Sequence, residues 1–143
     1  MKFYQISLLI FTVFFCFSAD ILQARRLSKW LCAYSHIPVK KLLATKAELM
    51  VLDPDAYSQE EVKAIKSAGV KVLAYLSVGE AEKYRRHFSQ LEGTDLIIEE
   101  NPDWPENFPV KFWEPIWKSL LTSYSKEILN KGFNGLFVDV VDS

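Results

Sequence analysis

The stretch that decides the fold is "VKVLAYLSVGEAEKYR", Val70 to Arg85. It opens as a run of Val, Leu, Ala and Tyr, the composition of a strand buried on both faces. It stops at Ser77-Val78-Gly79 and then delivers Glu80, Glu82, Tyr84 and Arg85. An apolar strand that hands over to two carboxylates, a phenol and a guanidinium is either the edge of a site or the solvated first turn of a helix. A Glu-rich first turn is favoured by the helix dipole alone, so both readings stand for Glu82, while Glu80 leans toward the site.

Working outward, three more short apolar runs match this strand. "KWLCAYS" (Lys29–Ser35), "AELMVLD" (Ala47–Asp53) and "NGLFVDV" (Asn134–Val140) each end in turn or helix signals, as buried parallel strands do. Helical segments separate them. Ser58-Gln59-Glu60-Glu61 is a capping box. The helix it opens carries Val62, Ile65 and Ala68 on one face and ends at Gly69. A longer helix opens at Glu114-Pro115, repeats Trp117, Leu120, Leu121, Tyr124 and Ile128 at helical spacing, and ends at Lys131-Gly132. A short first helix spans Val39–Thr45. Alternating strand and helix predicts an α/β fold with a parallel sheet. The exception to short connections is Gly79–Trp113, and a connection that long is usually functional or disordered. Trp104, Phe112 and Trp113 within it argue for order.

In parallel α/β folds ligands bind at the carboxyl ends of the strands. The second strand ends in Asp53, the third in Ser77 and then Glu80, and the fourth carries Asp139 with Asp142 just beyond. Side chains alternate along a strand, so Tyr75 and Ser77 share a face, as do Phe137 and Asp139. Asp53, Tyr75, Ser77 and Asp139 are therefore expected at one mouth. An acid on the inner face of a strand is costly to bury without a purpose, which singles out Asp139. Asp53 precedes Pro54 and could simply start a turn. Trp117 belongs to the core, whereas Trp104 in "NPDWPENFP" is a candidate sugar platform.

Composition narrows the function. Half of the 143 residues are hydrophobic, 14% are aromatic and the net charge is -1, so one folded domain is expected and nucleic acid is not an expected partner. His36 and His87 lack metal-ligand spacing, and Walker, GxGxxG and GxSxG motifs are absent. No cofactor is expected; a Ca²⁺ or Mg²⁺ site built from the carboxylates is the weaker reading. At the N-terminus, Lys2 and the run "ISLLIFTVFFCF" (Ile6–Phe17), followed by Ser18-Ala19, predict a secretory signal peptide over residues 1–19. An uncleaved anchor is the competing reading, although the run falls short of the ~20 residues of a spanning helix. Residues 20–28 form a polar leader. Cleavage would leave Cys32 without an intramolecular partner.

The segments "YLSVGEAEKYR", "NPDWPENFPVKFWEPIW" and "GFNGLFVDVVDS" resemble the signature segments of glycoside hydrolase family 114, over Trp30–Ser143. The resemblance implies a secreted (β/α)8 barrel with endo-α-1,4-polygalactosaminidase activity. It implies a catalytic Asp at the end of the fourth strand, Asp139 or alternatively Asp142, and a second catalytic carboxylate, a Glu on a later strand. Asp53, Tyr75, Ser77, Glu80, Glu82, Tyr84, Arg85, Trp104 and Asp142 are then expected to bind an amino-sugar polymer. Asn134 departs from the Asp usual in the family's "GFDG" segment. A full barrel typically needs about 250 residues, so residues 29–143 are expected to form about the first four β/α units, without the later Glu and with open edges suited to self-association. A non-catalytic carbohydrate-binding half-barrel is the alternative.

Overall fold

A computed structural model describes residues 27–141. The expected signal peptide, the leader up to residue 26, and Asp142 lie outside the described residues. Four strands form the main sheet: β1 (Trp30–Ala33), β2 (Leu49–Leu52), β3 (Lys71–Ser77) and, last in the chain, β6 (Gly135–Asp139). Helices α1 (Val39–Ala44), α2 (Gln59–Ser67) and α3 (Pro115–Asn130) alternate with them. The strand order is β1-β2-β3-β6 and every pairing is parallel.

Each strand lies beside the one before it, so the sheet winds in one direction only. All three helices cover the same face. Leu42 of α1, Val62 and Ile65 of α2, and Tyr124 and Ile128 of α3 pack with Met50, Leu52, Val72, Ala74 and Leu76 in one core. Burial of each Leu, Ile, Val or Met among them contributes about 1.5–3 kcal/mol. The alternate residues, Tyr75, Ser77 and Asp139 among them, face the other way. Ser77 stands in register with Asp139 across the β3–β6 pair. A singly wound sheet with helices on one side is the arrangement of a (β/α) barrel, in which that second face becomes the interior.

The local signals act as the residues require. Ser58 accepts a hydrogen bond from the Glu61 amide at 3.2 Å, and the Glu61 carboxylate accepts one from the Ser58 amide at 2.9 Å. Gly69, after α2, has φ +83°, a left-handed conformation that glycine adopts without steric cost. Asn134 serves the fold directly. Its side-chain oxygen accepts from the Val72 amide at 2.9 Å and ties the entry of β6 to β3. No helix among the described residues is long and apolar enough to cross a membrane.

The long connection is ordered and has a core of its own. Glu80–Glu82 form a strand, β4, that pairs antiparallel with β5 (Asn107–Pro109). This overturns the helical first turn considered for Glu80 and Glu82. The reason is the period: Ala81 points into a small core with Phe88, Leu91, Leu96, Val110 and Trp117, so its two neighbours must face the opposite side. A 3₁₀ turn over Phe88–Gln90 closes this layer. Trp117 is buried, and its ring N–H donates to the Val78 carbonyl at 2.7 Å. This anchors the connection to α3.

Candidate functional site

At the carboxyl ends of the strands lies a cavity of about 630 Å³, lined by Tyr34, Tyr75, Glu80, Glu82, Tyr84, Trp104, Asn107, Asp139 and Val140. Its walls come from the ends of β1, β3 and β6 and from the β4–β5 hairpin. Among the described residues, the lining thus contains three carboxylates and no cation. Aromatic rings surround them: Trp104 is 66% exposed, and Tyr34 meets Tyr75 edge to face at 5.0 Å.

Each carboxylate has a different partner. Asp139 lies near the Tyr75 hydroxyl. Glu80 accepts from the Asn101 side-chain amide at 2.7 Å. Glu82 receives the Tyr84 hydroxyl on Oε1 and Arg85 Nε on Oε2, both at 2.7 Å. The phenols remain protonated. Burial pushes Tyr75 up, with the charges of Glu82 and Asp139 adding to it. Tyr34 is pushed up to about 12, first by the neighbouring Cys32 side chain and then by burial.

Behind the cavity sits a buried ionic cluster. Arg85 Nη1 lies 2.9 Å from Asp53 Oδ1 and 3.0 Å from Asp55 Oδ2, and the Tyr124 hydroxyl donates to Asp55 at 2.8 Å. Burial opposes the charge on Arg85, but Glu82 and the neighbouring groups outweigh it and raise its pKa. Burial alone would raise Asp55; the Tyr124 and Arg85 hydrogen bonds bring it below its ordinary value. Three carboxylates thus contact one guanidinium.

Of the residues singled out in the sequence, the cavity gathers Tyr75, Glu80, Glu82, Tyr84, Trp104 and Asp139. Asp53, Ser77 and Arg85 do not line it. Asp53 is held by Arg85 and by its own turn, where it accepts from the Asp55 amide. The Ser77 hydroxyl donates to the Glu80 carbonyl, so it shapes the β3–β4 bend. Tyr34, Asn107, Asp55 and Tyr124 are additions. Tyr34, just past the end of β1, continues the face that carries Cys32, a position that strand parity could have supplied. Asn107 depends on the hairpin pairing, and no local pattern announces it. Among the described residues, no trio of His, Cys, Asp or Glu stands in a metal-holding arrangement.

A singly wound parallel sheet with a polar cavity at its carboxyl ends defines an α/β protein of the TIM-barrel type. The family follows from comparison. The model of glycoside-hydrolase family GH114 matches residues 18–143, and the chain belongs to that family. An uncharacterized protein of Thermotoga maritima is 32% identical over 124 residues, covering 80% of this chain and 38% of its own length. Among solved structures, the glycoside hydrolase domain of PelA from Pseudomonas aeruginosa superposes with a TM-score of 0.69 at 22% identity, over 81% of this chain and 46% of that one. Aspergillus fumigatus Ega3, solved in complex with galactosamine, gives a TM-score of 0.70 at 22% identity, over 80% of this chain and 44% of that one. The chain therefore spans less than half the length of each of these relatives.

Proposed function

We propose that this chain carries the first half of a secreted endo-glycosidase acting on α-1,4-linked galactosamine polysaccharide. Asp139 is one of its two catalytic carboxyls. The observation that carries this reading is the cavity itself, where Glu80, Glu82 and Asp139 meet with no cation among the lining residues. A polymer with free ammonium groups complements such a surface, and Trp104 and the tyrosines offer stacking faces for sugar rings. Family membership supports glycosidase chemistry, and a related fold solved with galactosamine supports the sugar class. Glycoside hydrolysis needs two carboxyl groups across the scissile bond; in this reading the second is the later Glu implied by the family resemblance. The N-terminal run Ile6–Phe17 supports export.

The experiment measures reducing ends released from α-1,4-galactosamine oligosaccharides, and oligosaccharide binding, for wild type and Asp139→Asn. It uses the protein with whatever chain follows Ser143 in its gene. Turnover lost with binding retained supports the assignment. Unchanged turnover in Asp139→Asn overturns it.

A further inference from the structure

The three cavity carboxylates differ in one respect: among the described residues, Glu82 alone has a cation against it. Its Oε2 takes Arg85 Nε and its Oε1 takes the Tyr84 hydroxyl. Donors on both oxygens fix the orientation of the carboxylate. The group that holds it cannot turn away. Arg85 is 3% exposed and is pinned by Asp53 at the end of β2, by Asp55 and by the Tyr124 hydroxyl on α3. Its guanidinium also lies over the Tyr84 ring, 4.6 Å from the centroid. Asp53 and Asp55 contact the same guanidinium, so Arg85 is not paired with Glu82 alone.

We infer that Arg85 is a positioning residue that holds Glu82 as a fixed anion facing the cavity, and that Glu82 is the receptor for the ammonium group of a bound amino sugar. Proton transfer is left to the other carboxyls. The inference rests on the amino-sugar reading above and deepens it, assigning the preference for the amine over its acetylated form to one side chain. An N-acetyl group carries no charge and adds bulk, so it forfeits this attraction.

The test compares binding of α-1,4-galactosamine oligosaccharides with their N-acetylated counterparts, by calorimetry at pH 6, for wild type, Glu82→Gln, Tyr84→Phe and Arg85→Lys. Tyr84 is 57% exposed, so its phenylalanine variant removes one donor from Glu82 with little demand on the fold. Wild type is expected to prefer the amino form. Glu82→Gln lowers that preference about tenfold, Tyr84→Phe lowers it less, and Arg85→Lys keeps part of it. If wild type prefers the amino form and Glu82→Gln keeps the full preference, this inference fails and the amino-sugar reading stands. If wild type shows no preference, the amino-sugar reading fails and the inference falls with it.

Discussion

Replacing Arg85 by Met tests the ionic cluster that fixes the back wall of the cavity. The substitution keeps most of the aliphatic volume and removes the cation that, among the described residues, pairs with Asp53, whose side chain is 4% exposed, and with Glu82, whose side chain is 10% exposed. Taking one partner from a buried ion pair costs about 3–5 kcal/mol, because the other charge stays buried and unmatched. Arg85 Nη2 is buried and finds no partner among the described residues. The arginine is thus incompletely compensated at the start, and the expected loss lies at the lower end, about 3 kcal/mol. With a urea slope of about 1.5 kcal/mol/M, the midpoint at pH 7 should fall by about 2 M. The pH dependence has a definite sign. Asp55 is held below its ordinary 3.8, so its contribution is fully present above that value and is lost as pH falls through the lower, folded value. Removing Arg85 removes part of that contribution. The gap between wild type and variant should therefore be widest near neutrality and narrow as pH falls below the ordinary 3.8 of Asp55. A midpoint shift under about 0.5 M at pH 7, or an equal shift at pH 3, would refute the reasoning.

Two further stability predictions probe the helix that positions β3. Ser58→Ala removes one arm of the capping box and should cost about 1 kcal/mol in urea unfolding. Gly69→Ala places a Cβ at φ +83° with nothing within 4 Å of it, so the expected loss of about 1 kcal/mol is purely conformational; a gain in thermal midpoint would contradict it.

Much of the fold was legible because its signals are local. The four sheet strands announce themselves as short apolar runs, and the capping box at Ser58–Glu61 marks the start of α2 within a residue. Parity along β3 and β6 was enough to put Tyr75 and Asp139 on one face. The hairpin was not legible. Glu80-Ala81-Glu82 is too short to show a period, and its strand geometry comes from Asn107–Pro109, twenty-five residues away. The same gap hid the role of Arg85. A guanidinium three residues from Glu82 looks like a surface ligand until Asp53, Asp55 and Tyr124 arrive from β2, its following turn and α3 to bury it. Tyr124 sits at core spacing on α3, and only its hydroxyl, reaching Asp55, departs from a core role.

The most direct measurement is an amide chemical-shift titration of the chain with an α-1,4-galactosamine oligosaccharide. The account predicts saturable shifts at Tyr34, Tyr75, Glu80, Glu82, Tyr84, Trp104 and Asp139. It predicts none along the separate cleft between His87 and α3, lined by Ser119, Ser123 and Glu127. Shifts confined to that cleft, or no saturable shift at the strand-end cavity, would contradict it.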